Sequence, residues 1–218
     1  MRLVTLPGVF RPHSDSLLLA DHLRAEVERG ASVADVCTGS GVLAVTAACA
    51  GAGEVVATDV SRRAVLTASI NARLNRVSIK ARRGDLFGPL HGERFDLIVS
   101  NPPYVPAAND ELPTRGPARA WDAGRDGRAL LDRICAQAPA RLRPGGSVLI
   151  VHSGVCDADR TLALLAEGGL ASEIVVRSRG PLGPLLRQRR ATLEQRGQLA
   201  SDARDEELVV IRGSSGGP

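Results

Sequence analysis

Short apolar runs alternate with helix-like stretches along most of this chain, and that alternation leaves few folds open. Strands are expected at Ser32–Cys37, Glu54–Asp59, Val77–Arg83, Phe95–Ser100, Ser147–His152, Ser172–Arg177 and Glu207–Ile211. Helices are expected at Ser14–Arg29, capped by Ser14 or Asp15, at Gly41–Ala50, from a Ser61 cap to Asn75, and at Arg128–Leu142. The pattern predicts an α/β fold with a doubly wound, mostly parallel, Rossmann-like seven-stranded sheet. One domain is expected over residues 1–212, with residues 213–218 as a disordered tail.

Composition narrows the function classes. Hydrophobic residues make up 44% of the chain, enough for a globular core. No stretch approaches a membrane span, and the first twelve residues lack a signal-peptide apolar run. Cys37, Cys49, Cys135 and Cys156 form no CxxC or Cys/His cluster, so reduced thiols in a cytoplasmic protein without a metal site are expected. The net charge of +4 hints at an acidic partner, although Lys80 is the sole lysine and the arginine bias also fits coding composition. Aromatics are confined to Phe10, Phe87, Phe95, Tyr104 and Trp121, too few for a base-stacking platform of the single-strand-binding kind.

Asp35-Val36-Cys37-Thr38-Gly39-Ser40-Gly41 sits where the first strand meets the next helix. Gly39 and Gly41 permit backbone angles and close approach that a Cβ would block. In doubly wound sheets this position binds nucleotide-like ligands. Asp59 ends the second strand, where a carboxylate can accept both hydroxyls of a ribose. Asp85 ends the third, placed to accept from an exocyclic amine, with Leu86 against the ring. The same stretch satisfies the GxGxxA dinucleotide fingerprint, so a nicotinamide-dependent oxidoreductase is a competing reading. Against it, Asp35 inside the loop suits a cationic amine better than a pyrophosphate.

Asn101-Pro102-Pro103-Tyr104 follows the fourth strand. Two prolines stiffen the chain and remove backbone donors. What remains is a rim of carbonyls, one carboxamide and one aromatic ring, suited to a planar nitrogen with protons to donate. Residues 102–127 then form a long Pro- and Gly-rich loop, of a length that is usually functional. Residues 181–204 form a basic helical insertion with Arg187, Arg189, Arg190 and Arg196. It reads as a solvated helix face, with docking to an acidic partner as the alternative.

In this order the elements resemble the class I S-adenosylmethionine-dependent methyltransferases, and among them the HemK-like NPPY family. The resemblance covers residues 8–155. It implies S-adenosyl-L-methionine as cofactor, held by Ser16, Asp35, Cys37, Gly39, Gly41, Asp59, Asp85, Leu86 and Asn101. It implies catalysis by Asn101, Pro102 and Tyr104, with Tyr104 packed on the planar group. Residues 1–30 correspond to the segment and helix that cover the cofactor in the short branch, which lacks the long branch's N-terminal helical domain. Trp121 to Arg128 resembles the family's segment after NPPY, and Cys37 replaces the loop's usual first glycine. The implied reaction is N-methylation of a planar amide, glutamine N5 of a release factor or other translation protein. Adenine N6 methylation of DNA or RNA is the alternative, and a non-catalytic cofactor-binding module is a further one. An activator subunit is not expected, because the presumptive edge strand carries Lys80, Arg82 and Arg83.

Overall fold

The computed structural model describes residues 1–216. Its strands are β1 (Ser32–Val36), β2 (Glu54–Asp59), β3 (Lys80–Arg83), β4 (Phe95–Ser100), β5 (Leu142–Ser153), β6 (Ala171–Pro181) and β7 (Asp205–Ser214). They form one seven-stranded sheet in the order β3-β2-β1-β4-β5-β7-β6. The first five pair in parallel; β7 runs antiparallel to both β5 and β6. The expected α/β class, with seven strands and a mostly parallel sheet, is therefore the observed one.

Period-two alternation distributes the core over both faces of the sheet. Val33, Val55, Leu97, Val99, Leu149 and Val210 point to one face, where they meet Leu19 and Leu23 of α1 (Ser14–Glu26) and the apolar side chains of α2 (Val42–Ala50). Ala34, Val56, Ile98, Val148, Ile150 and Ile211 point to the other, against α4 (Leu131–Gln137) and Leu165 of α5 (Ala158–Glu167). Burial on both faces explains why the central strands read as continuous apolar runs. Helix α3 (Arg62–Leu74) lies beside α2, and its Ser61 cap is present, accepting from the Ala64 N–H at 3.4 Å.

Several boundaries differ from expectation. Neither Ser14 nor Asp15 caps α1; His13 holds the cap position, and Asp15 turns inward. The expected helix Arg128–Leu142 is shorter, because Pro139 cannot continue α4 and a 3-10 turn leads into β5. Residues 144–146 lie within β5 rather than in a turn, and a register shift opposite Phe95 to Leu97 absorbs them. Strand β7 continues through Ser214, two residues into the expected tail, because both its neighbours supply hydrogen-bonding partners that far. Residues 217 and 218 of that tail lie outside the described residues. The insertion between β6 and β7 carries α6 (Pro184–Gln195). No described helix is long and apolar enough to cross a membrane.

Candidate active site

Strand order reverses between β1 and β4, and ligand crevices in doubly wound sheets open at such points. Val36 and Ser100 are paired neighbours there, and the Ser100 hydroxyl donates to the Val36 carbonyl at 2.6 Å. The glycine loop after β1 and the Asn-Pro-Pro-Tyr segment after β4 therefore leave the sheet side by side. Between them lies a cavity of about 440 Å³. Among the residues that line it are Ser16, Cys37, Gly39, Asp59, Leu86 and Asn101.

The two loop glycines have different reasons to be glycine. Gly39 has φ +53, and a Cβ there would meet nothing within 4 Å, so its bareness leaves cavity space. Gly41 has φ +81, and a Cβ would stand 2.7 Å from the Ala68 Cβ, so its bareness lets α2 and α3 approach. Cys37, at the position of the usual glycine, keeps the backbone path at φ 64, an uncommon angle for a residue with a side chain. Burial pushes its thiol well above the ordinary value, so it stands as a neutral group on the wall. The buried Asn71 of α3 donates to the Ser40 carbonyl at 2.8 Å and the Val4 carbonyl at 2.9 Å, tying the loop to the N-terminal segment.

Asp35 is fully buried beneath the loop and is not part of the cavity lining. Its Oδ2 accepts from the Thr38 hydroxyl at 2.5 Å and the Ala44 N–H at 3.0 Å. Its Oδ1 is buried without a partner. Burial raises its pKa to about 7, against the lowering by those two donors, and the charge of Asp59 adds to the rise. Asp59 does line the cavity. The Gly39 N–H donates to its Oδ2 at 3.0 Å and the Ser61 N–H to its Oδ1 at 2.8 Å. Those donors fix the carboxylate plane and leave each oxygen a lone pair. Desolvation raises its pKa as well. Asp85 is exposed, and Arg133 of α4 holds its Oδ2. Leu86 is buried at φ 45, its carbonyl accepting from the Thr58 hydroxyl at 2.9 Å.

The Asn101 side chain is anchored from α1. Its Nδ2 donates to Ser16 Oγ at 3.0 Å, which assigns the amide nitrogen to that side and leaves the oxygen available. Ser16 in turn lies against Asp15, whose Oδ1 accepts from the Ser16 N–H at 2.6 Å and from the hydroxyl at 3.3 Å. Asp15 Oδ2 accepts from the Tyr104 hydroxyl at 2.8 Å. One buried carboxylate thus joins both ends of the tetrapeptide. Burial first, and the Asp15 charge second, push the Tyr104 hydroxyl well above its ordinary pKa, so it remains a donor. Tyr104 and Pro102 stand behind the cavity lining, and Asn101 and Pro103 stand in it. No donor among the described residues reaches the Pro102 carbonyl.

Behind Tyr104, the Cys156 thiol donates to its carbonyl at 2.9 Å, and a Cβ on Gly127 would lie 2.3 Å from that oxygen. The neighbouring Arg128 is buried and donates to Asp132 at 2.7 Å, to the carbonyls of Cys156 and Asp157, and to the Thr161 hydroxyl. His152 shares Thr161 through Nε2 at 3.0 Å, and burial lowers its pKa to about 4, leaving a neutral structural ring. Over the cavity, Gly8, Val9, Phe10 and Pro12 close one side, with Phe10 and Trp121 ring centroids 6.4 Å apart.

Sequence reasoning missed Asp15, Asn71, Arg128 and Arg133. Asp15 left a readable signal: it shares one helix stripe with Leu19 and Leu23, and an acid on an apolar stripe needs a partner inside. The others act through contacts between segments distant in sequence, for which the chain offers no local sign.

An S-adenosyl-L-methionine group fits what is present. A lone buried carboxylate oxygen lies under the loop, a fixed carboxylate stands on the wall, and the space has the size of a small-molecule site. The family profile described as "Methyltransferase small domain" matches residues 1–114. A Methanocaldococcus jannaschii protein, provisionally named a protein N5-glutamine methyltransferase, is 36% identical over 180 residues, covering 83% of this chain and 90% of that one. A Geobacter sulfurreducens release factor glutamine methyltransferase is 34% identical over 172 residues, and the match spans 76% of this chain but 60% of the relative. Mtq2 of E. cuniculi, solved in complex with Trm112, has the same fold at a TM-score of 0.64 and 21% identity, covering 96% of this chain and 99% of that one. A T. thermophilus 16S rRNA N2 methyltransferase, solved with AdoMet and guanosine, shares the fold at a TM-score of 0.61 and 24% identity, over 97% of this chain and 46% of that one. The chain is a member of the small-domain family of S-adenosyl-L-methionine-dependent methyltransferases.

Proposed function

We propose that this chain methylates N5 of a glutamine side chain in a translation protein, a release factor foremost. One observation carries the reading: Ser16 and Asp15 fix the Asn101 amide so that its oxygen, not its nitrogen, is left for a ligand. The carboxamide oxygen in the cavity accepts one proton of a planar NH2, and the unpartnered Pro102 carbonyl, just behind the lining, would accept the second once the acceptor is seated. An amide nitrogen has a delocalised lone pair and attacks poorly. Acceptors on both N–H bonds orient that lone pair and stabilise positive charge developing on nitrogen. Alignment of this kind is worth about 7–11 kcal/mol in favourable intramolecular models. When bound, S-adenosyl-L-methionine supplies the electrophilic methyl. Gly39, Asp59 and Leu86 would hold it, with Ser16 and Asn101 at the junction with the acceptor. Asp35 would meet its cationic amine from beneath the loop, through the oxygen that lacks a partner.

The printed names of the relatives support glutamine as the acceptor, with release factors and ribosomal protein uL3 as their substrates. The chain spans between 46% and 63% of the bacterial release factor enzymes it matches. Its four cysteines are unpaired, which suits a reducing, cytoplasmic setting. Activity without an activator subunit belongs to the same reading. Lys80, Arg82 and Arg83 stand on β3, one of the two edges of the sheet, where such charges disfavour strand addition.

The test is transfer of labelled methyl from S-adenosyl-L-methionine by the purified chain into a cell extract, with the labelled residue located by mass spectrometry. Label on the glutamine of a Gly-Gly-Gln sequence is expected. Label on adenine N6 in DNA or RNA would replace this reading with the nucleic-acid one.

A further inference from the structure

Of the arginines in the 181–204 insertion, Arg189, Arg190 and Arg196 are engaged within the protein, whereas Arg187 is exposed. Arg189, on α6, donates to the Pro106 carbonyl at 2.6 Å and sets its other nitrogen 2.6 Å from Asp122, a charge contact without hydrogen-bond alignment. Arg196, at the end of α6, donates to the carbonyls of Ala107 at 2.8 Å, Ala108 at 3.0 Å and Arg125 at 3.0 Å. Arg190 closes on its own insertion, through Glu194 and the Ser201 carbonyl. Beneath them Leu182, Leu186, Leu193 and Leu199 pack on Val105, with Tyr104 and Trp121 at the margin.

Every partner outside the insertion belongs to the long loop that follows Tyr104. That loop ties itself at its base, Val105 N–H to Trp121, Ala107 N–H to Gly124 and Ala123 N–H to Val105, across its width by Arg125 N–H to Asp110 at 2.9 Å, and in local turns at Glu111, Trp121 and Asp122. Its first residues continue directly from Tyr104, and its middle, including Leu112, Pro113, Thr114 and Arg119, lines the cavity, where the Arg119 charge acts on Asp59. None of these internal bonds uses the carbonyls of Pro106, Ala107, Ala108 or Arg125, so the arginines supply a second support to a loop tied mainly at its base. The free carbonyls at 106, 107, 108 and 125 would otherwise face water, and guanidinium forks supply several donors from one rigid group.

From this we infer that the insertion is an internal clamp: Arg189 and Arg196 are positioning residues that set the wall of the acceptor cleft. They act on glutamine entry and alignment through residues 106–108, the stretch that continues from Tyr104. The substrate half of this inference rests on the function proposed above; the loop-clamping half stands without it.

The two halves are read separately. Hydrogen exchange on the intact chain, followed by mass spectrometry over residues 105–126, reports the clamp. Arg196→Ala and Arg189→Ala are expected to speed exchange there and leave peptides of β1 and β4 unchanged. Methyl transfer to a Gly-Gly-Gln release factor reports the acceptor, with S-adenosylhomocysteine calorimetry as the check that the cofactor side is intact. Both variants are expected to lower kcat/KM for the acceptor by roughly tenfold to a hundredfold, the scale of a misplacement near 1 Å. Arg196→Lys keeps the charge but not the fork and is expected to behave like Arg196→Ala. Arg187 is exposed and has no partner among the described residues, and Arg187→Glu is expected to leave KM unchanged.

Unchanged exchange in Arg196→Ala would overturn the clamp. Rescue by Arg196→Lys, or a raised acceptor KM in Arg187→Glu, would overturn it in favour of charge docking. Should no glutamine acceptor exist, the activity arm fails for the wild type too, and exchange alone decides.

Discussion

The two walls of the cavity are built in opposite ways. On the cofactor side, residues 35–61 hold themselves apart from the Asn71 bond to the Ser40 carbonyl: Asp59 is fixed by the N–H groups of Gly39 and Ser61, and Asp35 by Thr38 and Ala44. On the acceptor side, Asn101 is fixed by Ser16, Tyr104 by Asp15 and Cys156, and the loop beyond by Arg189 and Arg196. The first wall is a local device that depends on backbone angles. The second is assembled by side chains from the N-terminal helix, from α6 and from the turn after β5. The cofactor wall should therefore survive changes elsewhere in the chain, whereas the acceptor wall should be sensitive to them.

Asn101→Ala breaks the comparison hardest. It removes the acceptor oxygen and should cut kcat by about 10²–10³, the scale for losing one preorganised polar group, while calorimetric affinity for S-adenosylhomocysteine is retained. Asp59→Ala is the mirror image. Losing hydrogen bonds to a charged group should weaken cofactor affinity by roughly a hundredfold or more in the same titration. An equal loss of both functions in either variant would mean the walls are not separable.

Gly41→Ala should destabilise by about 1–3 kcal/mol in urea unfolding, because its Cβ would lie 2.7 Å from Ala68 Cβ. Gly39→Ala meets no atom and should cost less, only the αL strain of about 1–2 kcal/mol. Ala68→Gly should recover part of the first loss and none of the second.

Asp15→Asn should lower kcat about tenfold with cofactor affinity nearly intact, since it loosens both anchors of the acceptor tetrapeptide without touching the glycine loop. A last expectation concerns pH. Asp35 titrates near 7 when folded, against 3.8 as its ordinary value, so the folded state retains a proton that the unfolded chain has released. Stability of the cofactor-free protein should fall as pH rises from about 4 to about 7, and Asp35→Asn should flatten that slope, with the raised Asp59 keeping part of it. If Asp35 faces the cofactor's cationic amine, cofactor affinity should rise from pH 6 to pH 8 with proton release. Calorimetry in buffers of differing ionisation enthalpy would read it.

What was legible in the sequence follows the same division. The central strands β2 and β4 fall on the expected residues, because burial on both faces makes them uninterrupted apolar runs. The glycine loop and Asp59 were legible because their geometry is encoded in adjacent residues. Asn101 was legible as chemistry, yet which of its amide atoms faces the cavity depends on Ser16, far away in sequence. The arginines of α6 were visible as charge and misread as surface. Nothing local shows that their targets are carbonyls some eighty residues earlier, as in the Arg189 to Pro106 bond. The early start of β5 was obscured for another reason: Pro144, Gly145 and Gly146 signal interruption, and here a bulge absorbed it.

Strand β7 fills the slot between β5 and β6 rather than adding to a rim. A nascent chain emerges from its N-terminus, so β6 has no bridge to the rest of the sheet until residues 205–214 are out. The segment that carries Arg189 and Arg196 hangs between those two strands. During synthesis the donor-binding half can take shape first, and the half that admits the target closes last, when its final strand threads home.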